Sequence, residues 1–178
     1  MPENDLERLL LCQPAVLEGL EWGEPRYGHP EGKVYLHIRE VLDNIDRLRI
    51  NADERRQLRL IALVHDTFKF IEDRSNPRDW SKHHSMLARK FMEGFCNEAA
   101  VLDVIELHDE AFHAWRHVYL LQKQDIGNER LQNLLWRISY CKRLFYLFFV
   151  CDTATGDKTQ APVRWFERTV EGIEAVVL

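Results

Sequence analysis

The sequence predicts an all-α protein of about seven to eight helices with no sheet. Apolar residues recur at helical intervals in segment after segment, and no run of strict apolar–polar alternation competes with them. The stripes also lack sustained heptads, so ordinary helix packing is expected rather than a regular bundle.

The first helix is expected from about Asp5 to Glu21, where Leu6, Leu9, Leu10, Val16, Leu17 and Leu20 form a stripe interrupted around Pro14. It should pack as a cover on the core. A Gly- and Pro-rich loop follows from Gly23 to Gly32. From Lys33 to Arg49, Val34, Ile38, Val41, Ile45 and Leu48 mark one helix face. The helix from Asp53 to Ile71 has almost no polar side around Leu58, Leu60, Ile61, Leu63 and Val64, which makes it central. After a loop around Asn76-Pro77, shorter helices are expected from Ser81 or Lys82 to Phe95, Glu98 to Leu107 and Glu110 to Gln122. A long helix from about Asn128 to Asp152 is apolar on every side between Leu144 and Val150, so it too runs through the interior. A loop from Gly156 to Pro162 leads to a last amphipathic helix, Val163 to Val176.

A chain of 178 residues is the size of one domain and buries roughly 70% of its unfolded surface, enough to fold without a disulfide or structural metal. The expected organisation is a single domain over 1–178. With 24 Lys and Arg against 29 Asp and Glu, the net charge of −5 offers no footprint for duplex DNA or an anionic membrane. A small phosphorylated ligand is compatible with it. The four cysteines, Cys12, Cys96, Cys141 and Cys151, have no CxxC spacing and read as reduced core residues. The acidic start Met1-Pro-Glu-Asn-Asp is unlike a signal peptide, and the longest apolar run is far short of a membrane span. A soluble, cytoplasmic chain is expected, and a homodimer is compatible with it.

Polar residues interrupt the apolar stripes at five places. His37 lies three after Val34 and four before Val41; His65 and Asp66 follow Leu63-Val64 in the most apolar helix. His84 precedes Leu87, Ala88 and Phe91, His108 follows Val104 and Ile105, and Asp152 comes four after Phe148. His83, in the same reckoning, turns toward Lys90 and the polar side. Taken singly, each His reads as a hydrogen-bonded core histidine. A buried carboxylate is different, because it costs several kcal/mol unless paired or metal-bound. Lys69 is the only cation close in sequence, so one shared site for a divalent ion accounts for all five places together.

Other chemistry is weakly supported. His113 and His117 form an HxxxH pair on a solvated or cleft-lining face. No GxGxxG or GxxxxGK loop is present, Ser81, Ser85 and Ser139 lack an elbow sequence, and no Cys stands beside a base.

The order His37, His65-Asp66, Asp152 resembles the H…HD…D pattern of the HD-domain metal-dependent phosphohydrolases. His29-Pro-Glu-Gly-Lys-Val-Tyr-Leu-His37 is similar to the HPEGxVxxH segment in the HD domain of bacterial tRNA nucleotidyltransferases and their stand-alone relatives. Leu63-Val-His-Asp-Thr-Phe-Lys69 resembles LxHDxxK, and His84-Ser-Met-Leu-Ala88 resembles HxxxG/A, with Ala88 where many relatives have Gly. His108-Asp109 and Cys151-Asp152-Thr-Ala-Thr-Gly156 complete the series. The resemblance spans Gly28 to Gly156, which makes 28–156 the HD core, 1–27 a covering helix and loop, and 157–178 a C-terminal helix. Phe70-Ile71 stands where guanosine tetraphosphate hydrolases carry acidic residues, and the GYP motif of cyclic dinucleotide phosphodiesterases is missing.

The resemblance implies that His37, His65, Asp66 and Asp152 hold a divalent metal that activates water for attack on phosphorus. Asp66 would steer or accept the proton, and Lys69 would offset charge on the phosphoryl oxygens. His84 and His108 would either complete a second metal position or donate hydrogen bonds to the phosphate. Nitrogen and oxygen donors accept manganese, iron, nickel, cobalt, zinc or magnesium, as one or two ions. The expected substrate is a small phosphorylated molecule, a nucleotide or other phosphoester. The alternative is a catalytically silent metal- or nucleotide-binding regulatory module.

Overall fold

The computed structural model describes residues 2–178. Among them are ten α-helices and no strand, the sole β feature being an isolated bridge between Arg26 and His29. The helices are α1 (Asp5–Leu11), α2 (Pro14–Leu20), α3 (Val34–Arg47), α4 (Ala52–Val64), α5 (His84–Met92), α6 (Ala99–Leu107), α7 (Glu110–Tyr119), α8 (Gln124–Arg137), α9 (Lys142–Thr153) and α10 (Ala161–Thr169). Two 3-10 turns, Lys69–Ile71 and Trp80–Lys82, lie between α4 and α5.

Helix α4 is the hub: it packs on α1, α3, α6 and α9. Every residue from Leu58 to Val64 is buried, Arg59 included, and α9 is buried from Leu144 to Cys151. Arg59 is accommodated because buried Glu7 of α1 accepts two of its N–H bonds, at 3.0 and 2.9 Å. That pair ties the N-terminal cover to the centre.

The helix count exceeds the expected number because two expected helices are each divided. Pro14 opens α2 at its first position, where a missing N–H costs nothing, so the N-terminal stripe is two helices. The long helix expected from 128 to 152 breaks at 138–141, where Ile138, Ser139, Tyr140 and Cys141 are all mediocre helix formers; Cys141 N–H bonds back only three residues, to Ile138 O. Helix α10 stops at Thr169, earlier than Val176, with Gly172 at φ +74° just beyond it. Helix α4 ends at Val64 instead of Ile71, and the chain turns at the His65-Asp66 pair.

All four cysteines are free. Cys141 and Cys151 are buried as expected, but Cys12 is exposed, because α1 ends there and its stripe does not continue. Among the described residues, no helix is long and apolar enough to cross a membrane.

Candidate metal centre

Helix ends, where the chain changes direction, deliver most of the polar residues to one place. His37 is an exception in sitting inside the first turns of α3, on the buried face with Val34, Ile38 and Val41. His65 is the C-cap of α4 and donates Nδ1–H to Ala62 O at 2.9 Å. His108, the C-cap of α6, does the same to Ile105 O at 2.8 Å. In both rings this bond leaves Nε2 pointing inward. Asp66 follows in a turn held by Thr67 Oγ1–H donating to Val64 O at 2.8 Å. Helix α2 seals the turn from outside: a Cβ on Gly19 would lie 1.7 Å from Thr67 O, so only glycine allows the approach. His84 is the first residue of α5, and Asp152 stands in the last turn of α9. Asn44 of α3 anchors that turn, donating Nδ2–H to Cys151 O and Ala154 O, both at 2.9 Å.

The result is two facing imidazole pairs with one carboxylate between them. His37 Nε2 and His65 Nε2 are 3.3 Å apart, and Asp66 Oδ2 lies 3.7 and 3.6 Å from them. Asp152 Oδ1 closes this group at 2.9 Å from His37 and 3.8 Å from His65. On the other side, His84 Nε2 and His108 Nε2 are 3.4 Å apart, and Asp66 Oδ1 lies 3.4 and 3.6 Å from them. Asp109 Oδ2 closes the second group at 3.3 and 3.5 Å. Donors about 2.1 Å from a shared ion are separated by about 3.0–3.4 Å, and the trios His37, His65, Asp66 and Asp66, His84, His108 are close enough to that spacing to hold an ion. Asp66 Oδ1 is buried and has no hydrogen-bond partner, an expensive state that a cation would relieve.

The electrostatics agree with a cation site. Burial works against the Asp66 carboxylate, yet the Lys69 ammonium and the His108 ring outweigh it and hold the group well below the usual range. Burial pushes His65 down to about 3, so its ring is neutral. Burial also opposes charge on His108, but the adjacent Asp109 and Asp66 lift it to about 9. The carboxylates therefore demand positive charge in this spot, which a proton or a metal ion can supply at Nε2.

A cavity of about 260 Å³ opens onto the centre. Asp66, His108, Asp109 and Asp152 form its floor, Lys69 and Lys158 are on its sides, and Tyr27, Phe112, Phe149 and Pro162 supply apolar wall. Lys69 Nζ donates to Asp66 Oδ2 at 2.5 Å, and Lys158 Nζ lies 3.1 Å from Asp152 Oδ1.

The structure brings together all the residues singled out from sequence: His37, His65, Asp66, Lys69, His84, His108 and Asp152. Asp152 is partly open to the cavity, whereas the others of the imidazole and dyad set are buried. One orientation is corrected. His83 is buried instead of facing Lys90 and solvent, because the helix begins at His84 and His83 is its extended N-cap, outside the helical phase. Its ring contacts Glu72 at 3.3 Å and lies against His84, 4.2 Å between centroids. His117 ties back to His113 O, while His113 faces a smaller cavity of about 170 Å³ beside His83 and Asp109.

Three members of the site were given no role from sequence. Lys158 sits in the loop after α9 and gave no periodic signal. Glu72 likewise comes from a loop. Asp109 had a usable one: His108-Asp109 repeats, at the end of α6, the His65-Asp66 pair at the end of α4.

The family model described as HD domain matches residues 34–133, more than half of the chain. The match takes in His37, His65, Asp66, Lys69, His84 and His108, and ends before Asp152, which the fold of α9 brings to the same centre. Comparison with curated proteins and with solved structures gives no match.

Proposed function

Given that the chain belongs to the HD-domain family, we propose that it is a metal-dependent phosphohydrolase acting on a small phosphoester, a nucleotide foremost, at a centre for two divalent ions. The observation that carries this reading is the Asp66 carboxylate with one imidazole pair on each oxygen. In it, His37, His65, Asp66 and Asp152 serve one position, and Asp66, His84, His108 and Asp109 the other. A divalent ion, when bound, polarises a phosphoryl oxygen and acidifies water.

The chain's own groups do the rest. Lys69 and Lys158 flank the cavity floor, where their ammonium groups orient the phosphoryl group and balance the charge that grows on its oxygens. Asp66 has both oxygens turned to imidazoles, so the base role expected of it passes to Asp109, whose carboxylate lines the cavity. Tyr27, Phe112, Phe149 and Pro162 give an apolar seat for the organic part of the ester. A cavity near the low end of the roughly 300–1,000 Å³ usual for small ligands suits a monophosphate better than an oligonucleotide.

The test is elemental analysis of the purified chain, then a panel of nucleoside monophosphates and nitrophenyl mono- and diesters with manganese, iron, cobalt, nickel, zinc and magnesium. Hydrolysis that needs an added ion and stops with chelator is expected, and His65→Ala or Asp66→Ala should strip the metal. Bound metal with no turnover across the whole panel would instead favour the silent binding module.

A further inference from the structure

Four imidazoles converge with Nε2 inward; His37 Nδ1 has no hydrogen-bond partner, with Glu31 Oε1 nearest at 3.5 Å, and the other three have an acceptor behind Nδ1. His65 and His108 stand at helix C-caps, so a free carbonyl of their own helix, three residues back, accepts the Nδ1–H. His84 cannot use this device. It is the first residue of α5, where the helix presents N–H groups and the positive end of its dipole, which disfavours a strongly donating ring. What lies behind it is Glu72, from the loop after the first 3-10 turn, with Oε1 3.3 Å from His84 Nδ1. The same oxygen is 3.3 Å from His83 Nε2 and 3.4 Å from the Arg78 guanidinium, and the side chain is almost wholly buried. A glutamate enclosed by two imidazoles and an arginine is fixed in place without itself reaching the Asp66 side of His84.

We propose that Glu72 is a positioning residue for one of the two metal positions: it accepts the His84 Nδ1–H and so sets the tautomer with the Nε2 lone pair inward. The inference rests on the metal reading above and adds that Glu72 acts mainly on the His84–His108 position, since it contacts His84 directly and reaches the His37–His65 position only through Asp66. Carboxylates behind ligating histidines commonly change metal affinity about 10–100-fold.

The experiment is a zinc(II) titration of the full chain by chelator competition, with folding followed by circular dichroism. The wild type should show two binding events, and Glu72→Gln should weaken one of them about tenfold or more while leaving the other within about threefold. A merely structural glutamate would weaken both alike through general loosening. In parallel, nitrogen-15 NMR of the histidine-labelled, zinc-loaded wild type should show His84 protonated at Nδ1 and shifted at Nε2. The opposite tautomer overturns the proposal however the variant folds. Two unchanged events in Glu72→Gln, both weakened equally, or a single wild-type event indifferent to the substitution also overturn it. A wild-type chain that takes up no zinc overturns the metal reading itself, a separate failure.

Discussion

His65 and His108 meet edge to face, 5.0 Å between ring centroids and 89° between planes, each closing its helix and each followed by an aspartate. The two helix ends are thus built alike and aimed at each other, and Phe148 of α9 lies edge-on to both rings. Local structure is repeated; what differs is the reach of the carboxylate. Asp66 touches both imidazole pairs, while Asp109 touches only the His84–His108 pair.

Asp66→Asn is therefore expected to empty both metal positions, and Asp109→Asn to reduce the metal content by about half. Elemental analysis after dialysis against dilute metal checks this. Equal losses in the two variants would contradict the sharing of Asp66.

Lys158→Ala should retain its metal and lower kcat/KM for a phosphoester about tenfold or more, the cost of losing one oriented charge at the phosphoryl group. Lys69→Ala should act in the same sense and also release Asp66 from its ion pair. Steady-state kinetics at saturating metal separate the two lysines from the ligands, whose loss removes metal first.

His83→Ala should destabilise the fold by about 0.5–2 kcal/mol, because the ring accepts the Ser85 N–H at the start of α5. His83→Asn, which keeps a capping acceptor, should recover most of that. Urea unfolding of the two variants decides it: identical losses would mean that the cap contributes nothing.

Asn44→Leu leaves the Cys151 and Ala154 carbonyls without their donor and should cost about 1–3 kcal/mol. Since those carbonyls flank Asp152, metal affinity should fall at the His37–His65 position in the folded variant. A variant that loses stability yet binds both ions as before would confine Asn44 to the packing of α3 on α9.

Acid sensitivity should trace in part to Glu7. Burial pushes its carboxyl up, but Arg59 and the Glu3 backbone N–H outweigh burial and hold it below the ordinary 4.5. A carboxylate depressed by folding adds stability above its unfolded pKa and loses it as pH falls through the folded value. Glu7→Gln should therefore be about 3 kcal/mol less stable than wild type at pH 7, with the gap narrowing below pH ~4.5. Urea midpoints from pH 7 to 3 test this, and a constant gap would remove Glu7 from the acid transition.

The legible part of the site was the part that violated a pattern. His37, His65, Asp66, His84 and His108 continue the apolar spacing of their segments and are all buried, and a polar side chain in such a stripe is conspicuous in sequence because burial there is costly. Glu72 and Lys158 come from loops, where charged residues are ordinary and periodicity says nothing about direction. His83 failed for a related reason: helical phase was extended one residue past the point where the helix begins, and a cap in extended conformation obeys no such phase.

By itself the sequence determined the helical class, the central place of α4 and α9, and the set of histidines and aspartates turned inward, since each follows from local spacing and the cost of burying polar groups. Tertiary structure alone decided where the helices break, that Asp66 divides its two oxygens between two imidazole pairs, and that Lys69 and Lys158 flank one cavity. These depend on how separate helix ends and loops meet in space, and spacing along the chain carries no information about distance across it.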